Sequence, residues 1–163
     1  MAKSDRKKKA STETGEQIVS ENRRARHDYT ILDTLECGMV LVGSEVKSLR
    51  NGRISLADSY AKIKNSELWL VGCDIPEYLE ANRFNHKPKR DRKLLLHRSE
   101  LNRFAKKAVE KGFTLVPLKM YFNRGRAKLL VGLCKGKQDY DKREAKKEAD
   151  MKKGLRKAMM KKR

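Results

Sequence analysis

Polar and apolar residues alternate along most of the middle of the chain, and this period of two is typical of strands with one buried face. The alternation, together with short apolar runs, predicts strands near residues 29–35, 39–42, 61–64, 67–71, 115–122 and 127–133. Asn65-Ser66 separates one pair of these strands, and Asn123-Arg-Gly125 separates another. Because Asn and Gly tolerate the positive φ of tight turns, both pairs are predicted to be β-hairpins.

In two places a period near 3.6 replaces the alternation, which predicts two helices. The first begins after a cap at Ser44 and ends at Asn51-Gly52, and the second begins after a cap at Ser99 and ends at Lys111-Gly112. Their apolar faces consist of Val46 and Leu49 in the first helix, and of Leu101, Phe104, Ala105 and Ala108 in the second. This content favours a mostly β fold, a small closed β-barrel with two or three helices, which binds ligands on its outer faces and loops.

The charge of the chain points to a polyanionic partner. Lysine and arginine number 41 against 21 aspartate and glutamate residues, which gives a net charge of +20 and an isoelectric point near 10.1. Proteins this basic bind nucleic acid or anionic membranes. The sequence has no apolar run of 18 residues, and its start, MAKSDRKKKAST, lacks the apolar stretch of a signal peptide. We therefore expect a cytoplasmic protein that binds nucleic acid rather than a membrane.

The three cysteines, Cys37, Cys73 and Cys134, are odd in number and widely spaced. This spacing fits neither a disulfide framework nor a CxxC metal site. We expect buried thiols in a reducing cytosol, and neither a metal nor a cofactor.

The distribution of charge divides the chain into a flexible basic N-terminal arm (residues 1–20), a core (21–136) and a basic tail (137–163). The core holds nearly all the large apolar residues, whereas residues 135–163 contain 13 lysine or arginine residues and five acidic ones. Because so few apolar residues cannot offset the entropy lost on folding, we expect both termini to be disordered in the free protein.

Two basic segments that contain an aromatic residue are candidate RNA contacts. Residues 82–93 contain six lysine or arginine residues and Phe84, which could stack on a base, while Pro88 excludes a helix. Residues 22–29 read Asn-Arg-Arg-Ala-Arg-His-Asp-Tyr. The alternative interpretations are a solvated basic loop for the first segment and a flexible lead-in to the first strand for the second.

An enzymatic alternative depends on few residues. A ribonuclease could use His27 and His97 as general acid and base, or Glu36 and Glu45 as metal ligands. The spacing of these residues does not require such a site, and the sequence has no Walker loop, HExxH or GxSxG motif. A small β-barrel ribonuclease and a generic ribosomal-type RNA binder both stay open as alternatives.

Seven short motifs occur in order along the chain. They are Asn22-Arg-Arg-Ala-Arg-His-Asp-Tyr29, Glu36-Cys-Gly38, Gly43-Ser-Glu-Val-Lys-Ser-Leu-Arg50, Asp58-Ser-Tyr-Ala61, Arg92-Lys-Leu-Leu-Leu-His97, Thr114-Leu-Val-Pro-Leu118, and Lys135-Gly-Lys137 with Tyr140-Asp-Lys-Arg143. Together they resemble the SmpB family, the SsrA-binding proteins of bacteria. The resemblance extends from about residue 18 to residue 143.

This resemblance implies an oligonucleotide-binding-type barrel that binds the tRNA-like domain of transfer-messenger RNA (tmRNA). It implies delivery of tmRNA to stalled ribosomes for trans-translation, in which the ribosome is rescued and its peptide is tagged. The C-terminal tail would probe the empty mRNA channel near the decoding centre and become helical only there. The implied partners are tmRNA, the ribosome with its rRNA, and the elongation factor that carries charged tmRNA. The protein itself is expected to be a monomer when free and not an enzyme.

The resemblance also implies two groups of site residues. The tmRNA contacts, with the basic residues around them, would be Asn22, Arg24, Arg26, His27, Glu36, Lys47, Arg50, Arg92, Lys93, Leu95 and Lys128. The ribosome-engaging positions of the tail would be Lys135, Gly136, Lys137, Tyr140, Asp141, Lys142 and Arg143.

Side-chain chemistry supports these roles unevenly. The residues that can pair with phosphates on chemistry alone are Arg24, Arg26, Arg92, Lys93 and Lys128. A carboxylate is normally repelled by RNA, so Glu36 would accept from a base or a 2′-hydroxyl, orient a neighbouring arginine, or form a structural ion pair. Leu95 lies in a run of three leucines, for which core packing is the first explanation. Tyr140 has no core to join, so we expect it to stack on an rRNA base.

Overall fold

The computed structural model describes residues 16–81 and 85–161, over which strands alternate with mostly short helices. The strands are β1 (Glu16–Glu21), β2 (Tyr29–Met39), β3 (Tyr60–Lys64), β4 (Glu67–Val71), β5 (Arg92–Leu95), β6 (Thr114–Asn123) and β7 (Arg126–Gly136). The α-helices are α1 (Arg23–Asp28), α2 (Gly43–Arg50), α3 (Arg98–Lys111) and α4 (Asp139–Lys161), and Leu79–Ala81 forms a 3-10 turn. Most of the predicted N-terminal arm, and Phe84 in the basic loop, lie outside the described residues.

The strands of the described segments form one antiparallel sheet in the order β1–β6–β3–β4–β5–β2–β7. β6 and β7 also pair with each other along most of their lengths, so β2 to β7 form a closed ring of hydrogen bonds. β1 pairs with the second half of β6. The mostly β fold with short helices is confirmed, and the predicted closure takes the form of this ring.

The main core lies inside the ring and consists of the inward-facing residues of successive strands. It includes Leu35, Cys37, Leu68, Leu70, Leu94, Met120, Leu129 and Val131. Leu49 of α2 joins this core, as do Leu101 and Phe104 of α3, and the partly buried Ala108 packs against it, so both helices turn their predicted apolar faces toward the core. Val46 is only half-buried.

A second, smaller apolar cluster packs α1 against the outside of the ring. Ala25 of α1 contacts a group that comprises Val116, Leu118 and Cys134, against which Leu130 also packs. Leu129 and Val131 point into the main core, so the alternation of β7 directs Leu130 outward. The segment over residues 22–29 is therefore a docked helix rather than a flexible lead-in.

Both predicted helix caps are wrong by two residues. Val42 is the N-cap of α2, and its backbone N–H donates to Glu45 Oε2 at 2.9 Å. His97 is the N-cap of α3, and its backbone N–H donates to Glu100 Oε2 at 3.2 Å. In both helices the glutamate at the third helical position satisfies the free donor, so a serine cap is not needed.

The strand predictions are correct where turn chemistry is strong. Both hairpins are confirmed, with positive φ at Asn65 (51°) and Ser66 (58°) in the first turn and at Arg124 (46°) and Gly125 (75°) in the second. Residues 29–39 form one strand instead of two, and residues 40–42 lie beyond it.

β1 and β5 were not predicted, because neither segment alternates: β1 reads Glu-Gln-Ile-Val-Ser-Glu and β5 reads Arg-Lys-Leu-Leu. Residues 16–20, which the sequence assigned to the flexible arm, form most of β1.

The three cysteines are all buried and unpaired, as expected. Burial raises the pKa of Cys37 and Cys73 to about 12 and that of Cys134 to about 11, so the thiols stay protonated near neutral pH. None of the helices in the described part of the chain combines the length and apolar content needed to cross a membrane.

Candidate nucleic-acid interface

A row of four directly paired residues crosses the outer face of the ring. Leu95 of β5 pairs with Gly38 of β2, Gly38 pairs with Lys128 of β7, and Lys128 pairs with Tyr121 of β6. Directly paired residues project from the same face of a sheet, so these four positions share one surface. Gly38 has no side chain, and Leu95 lies close over it: a Cβ at position 38 would be 3.3 Å from Leu95 Cβ.

Leu95 is on the surface rather than in the core. Leu94 points inward and is 2% exposed, whereas Leu95 points outward and is 51% exposed. Packing as the explanation for Leu95 is therefore wrong, because alternation along β5 sends adjacent leucines to opposite faces. A groove of about 480 Å³ lies beside Leu95 and Gly38, with Val46 and Phe122 in its apolar lining and Lys128 at its edge.

Glu36 is held next to this row as an ionised carboxylate. The hydroxyl of Tyr121 donates to its Oε2, and Nζ of Lys128 lies 2.9 Å from Oε1. The hydrogen bond from Tyr121, followed by that from Lys128, lowers the pKa of Glu36 below its ordinary value. Burial, followed by the bond to Glu36, raises the pKa of Tyr121 above its ordinary value, so the phenol remains the donor. Lys119 Nζ lies 4.4 Å from the centre of the Tyr121 ring.

A second cleft opens where Glu36 and Lys128 meet the turn between β6 and β7. Its volume is about 310 Å³, and its lining consists of Glu36, Asn123, Arg124, Arg126 and Lys128. Both arginines are exposed. Neither arginine was predicted as a contact, because residues 123–125 indicate only a turn, although the Arg-Gly-Arg order of residues 124–126 is a visible signal of charge there.

The residues of α1 lie on the same outer face as Glu36. Leu130 is the direct partner of Glu36 across β2 and β7, and it packs against the cluster that holds Ala25. The exposed side chains on α1 include Arg24, Arg26 and His27, so the structure brings these predicted contacts and the Glu36 row to one surface.

Asn22 has a structural role. Its Nδ2 donates to the carbonyl oxygens of Leu56 (3.0 Å) and Pro117 (3.1 Å), and its Oδ1 accepts from the N–H of Ala25 at 3.1 Å as the cap of α1. With its side chain buried and bonded in this way, Asn22 positions α1, and the arginines of α1 carry the exposed charge.

Arg92 cannot pair with phosphates, contrary to the expectation from its charge. Its side chain is fully buried and donates to Glu45 Oε1 at 2.9 Å and to the carbonyl oxygen of Cys73 at 2.7 Å. Nη2 of Arg92 donates to the carbonyl oxygen of Pro88, so the guanidinium binds the basic loop to the core. A charged group this deep in the protein requires a partner, and Glu45 provides it.

The other three predicted basic contacts are at the surface. Lys93 points to the outer face of β5 and pairs with Glu67. Lys47 and Arg50 are exposed on α2, and Lys47 Nζ lies 5.4 Å from the centre of the Tyr78 ring.

The first residues of the tail are attached to α1. Gly136 pairs with Tyr29 at the end of β7, and the backbone N–H of Lys137 donates to the carbonyl oxygen of Asp28 at 2.9 Å. Nζ of Lys137 donates to the carbonyl oxygen of Arg26 at 3.1 Å. Lys137 therefore binds free carbonyls at the end of α1, while its neighbour Lys135 is exposed.

The rest of the tail forms α4. The N–H of Gln138 donates to Asp141 Oδ2, and the N–H of Lys142 donates to the carbonyl oxygen of Gln138, which starts the helix. Tyr140 is 67% exposed, and its hydroxyl donates to Glu144. The other exposed side chains that face solvent along the helix include Arg143, Met151, Leu155 and Met159.

Each residue considered for a ribonuclease has another contact in the structure. Nδ1 of His27 lies 2.8 Å from Asp28, and His97 caps α3. Glu45 is surrounded by Arg90, Arg92 and the N–H of Val42; burial alone would raise its pKa, but these contacts hold the pKa below its ordinary value. In residues 16–81 and 85–161 no group of three or more His, Cys, Asp or Glu side chains could hold a metal ion.

Comparison with known proteins shows the family of the chain. A family model described as SmpB protein matches residues 19–161. The chain belongs to the SmpB family. The SsrA-binding protein of Nitrobacter winogradskyi is 57% identical over 135 residues, which cover 82% of this chain and 86% of that protein. The SsrA-binding protein of Levilactobacillus brevis is 50% identical over 137 residues, which cover 84% and 87% of the two chains.

A solved SmpB structure has the same fold. It is described as "tmRNA-SmpB: a journey to the center of the bacterial ribosome", and its matching chain is 51% identical, with a TM-score of 0.63. The match covers 77% of this chain and 92% of the solved chain.

Proposed function

We propose that this chain binds the tRNA-like domain of tmRNA and brings it to stalled ribosomes for trans-translation. The observation that carries the proposal is the outward-facing row of Leu95, Gly38 and Lys128 with Glu36 beside it. An apolar side chain, a cation and a fixed carboxylate on one face suit a folded RNA, whose bases, phosphates and hydroxyls need different partners. Membership of the SmpB family supports the same assignment.

The body and the tail would perform separate steps. The outer face of the ring, with Arg24, Arg26 and His27 on α1, holds tmRNA, and α4 enters the mRNA channel of the ribosome. Tyr140 then stacks on an rRNA base while Lys142 and Arg143 pair with phosphates. In the free protein the tail is expected to lose its helix. Amide hydrogen exchange tests this expectation, and strongly protected amides in residues 139–161 would contradict it.

The protein acts without catalysis in this proposal. It works in the cytoplasm as a monomer that binds tmRNA, and the elongation factor that carries charged tmRNA is a further partner. No metal or cofactor takes part.

Gel-shift titrations at rising salt test the proposal. The labelled RNAs are the tRNA-like domain of tmRNA, an elongator tRNA and an rRNA fragment of equal length. We expect the tRNA-like domain to keep its advantage as salt rises, because contacts to bases are less sensitive to salt than contacts to phosphates. Parallel loss of all three affinities would favour a generic RNA binder instead, and cleavage of the RNA with turnover would favour a ribonuclease.

A further inference from the structure

We propose that the cleft between Glu36 and the turn joining β6 to β7 is a subsite for one nucleotide of the bound RNA. Arg124 and Arg126 would bind its phosphate, and Glu36 would accept a hydrogen bond from its ribose or base. The proposal deepens the RNA-binding function and rests on it, and it assigns roles to Arg124, Arg126 and Tyr121.

The turn places two cations at the edge of a formed cleft. Arg124 and Gly125 both have positive φ, 46° and 75°, which is the pattern of a tight two-residue hairpin turn. Arg124 and Arg126 stand on either side of Gly125 and line the same cleft of about 310 Å³. A short turn on paired strands holds their backbones more firmly than a long loop would.

Both guanidinium groups can accept a ligand. Among the described residues, neither Arg124 nor Arg126 has a hydrogen bond or ion pair with another side chain or with the backbone. Arg90 and Arg92, by contrast, are bound to Glu45. An unpaired arginine presents a planar set of donors that matches the oxygens of a phosphate.

Glu36 provides the cleft with an ionised hydrogen-bond acceptor beside the two arginines. Its carboxylate is held from one side by Tyr121 and from the other by Lys128, so it stays ionised and its position is fixed. An ionised carboxylate repels phosphate and accepts only from donors, which a nucleotide offers at its ribose 2′-hydroxyl or at base N–H groups. A nucleotide in the cleft must therefore turn its phosphate toward the turn and a donor toward Glu36.

Tyr121 is a positioning residue in this arrangement. Its side chain is buried, and its hydroxyl acts on the RNA only through Glu36. The groups that face Glu36 are Lys119 and Tyr121 from β6, Lys128 and Arg126 from β7, and Arg124 from the turn. Glu16 of β1 pairs with Lys119 at 2.9 Å and is the next carboxylate along this line.

The first test is the double substitution Arg124→Gln and Arg126→Gln, with Arg103→Gln and Lys106→Gln on the exposed side of α3 as the control of equal charge. Affinity for the tRNA-like domain of tmRNA is measured in a salt series. For the cleft variant we expect an affinity lower by about tenfold. The slope of the logarithm of the binding constant against the logarithm of the salt concentration should be reduced by about one unit, which is the change for one lost phosphate contact. The α3 control should lose less than about twofold. Equal losses in the two variants would overturn the proposal.

The second test is the pH dependence of the same affinity in wild type, Tyr121→Phe and Glu36→Gln. Loss of the tyrosine hydroxyl moves the pKa of Glu36 back toward its ordinary value, so Tyr121→Phe should lose affinity at a higher pH on acidification than wild type. Glu36→Gln has no carboxylate to protonate, and its profile controls for Glu16 and for the RNA itself. If wild type and Tyr121→Phe lose RNA affinity at the same pH on acidification, the role of Tyr121 is overturned. Thermal melting checks the fold, and the surface arginine variants test the cleft even if Tyr121→Phe unfolds.

The third test separates the two donors and the two proposals. Four tRNA-like transcripts are made, each with one kind of nucleotide in the 2′-deoxy form. If the ribose is the donor, wild type discriminates against one transcript and Glu36→Gln does not; if a base is the donor, wild type binds all four alike but still binds more tightly than Glu36→Gln. If wild type has no preference for the tRNA-like domain, the proposed function fails. If wild type prefers it and the arginine variants bind equally well, only the subsite fails.

Discussion

Arg92 and Glu45 form an ion pair in which neither side chain is exposed to solvent, with Arg92 Nε 2.9 Å from Glu45 Oε1. Glu45 also accepts two bonds from Arg90 and one from the N–H of Val42, so the pair joins the start of α2 to the basic loop. A residue with the charge of an RNA ligand is thus part of the folded core. Its loss should be seen in stability before it is seen in RNA affinity.

Arg92→Met tests this directly. Removing one partner of a buried ion pair leaves the other charge without full compensation, which costs about 3–5 kcal/mol. We expect a loss of that size in the free energy of unfolding, measured by urea titration, and Lys93→Met as the exposed neighbour should change it by less than about 1 kcal/mol. A stable Arg92→Met protein with weakened tmRNA binding would mean that Arg92 contacts RNA after all.

Leu94 and Leu95 are adjacent, but their substitutions should have opposite consequences. Leu94→Ala creates a cavity in the core and should lower the free energy of unfolding by about 2–5 kcal/mol. Leu95→Ala removes a half-exposed side chain, so we expect a loss below about 1 kcal/mol in stability together with a several-fold lower affinity for the tRNA-like domain. Urea titration and gel shifts on both variants separate the effects. Unchanged RNA affinity in Leu95→Ala would remove Leu95 from the interface.

The sequence predicts this fold well where a local signal is strong and poorly where the signal is tertiary. Both hairpins follow from Asn and Gly at turns, and the face of α3 follows from the spacing of Leu101 and Phe104. The burial of Arg92 could not be predicted, because it depends on Glu45, which lies 47 residues earlier in the chain. A basic run of residues gives no sign of which member turns inward.

In the candidate site, too, some residues could be predicted from the sequence, whereas others depend on tertiary contacts. The resemblance pointed to Glu36, Leu95 and Lys128, and these three share one face of the ring. Tyr121 was missed, because in the sequence it is one more residue of an apolar strand. Its role appears only when β6 lies beside β7 and the hydroxyl meets Glu36 across two strands.

Lys137 should affect the tail without affecting tmRNA binding. Lys137→Met removes the bond from Nζ to the carbonyl oxygen of Arg26, a bond worth about 1 kcal/mol or roughly fivefold in an equilibrium. We expect peptide tagging in a reconstituted translation system to fall several-fold while affinity for tmRNA stays within about twofold. Lys106→Met removes the same charge from an exposed position on α3, away from the tail, and serves as the control. A parallel decrease in tagging for both variants would indicate that charge, rather than the bond to α1, is what matters.

Tyr140 provides a test of how the tail engages the ribosome. Its ring is exposed and contacts no apolar core in the described structure, so replacing it should leave the stability of the body unchanged. Stacking of an aromatic ring on a base contributes about 1–3 kcal/mol, so Tyr140→Ala should reduce peptide tagging by roughly tenfold or more. Tyr140→Phe keeps the ring and loses only the bond to Glu144, so it should tag nearly as well as wild type. If the two variants lose tagging equally, the hydroxyl is the group that acts, and stacking is not the mechanism. Affinity for the tRNA-like domain, measured on the same preparations, should be the same for wild type and both variants, since the surface proposed to hold tmRNA lies on the ring and on α1.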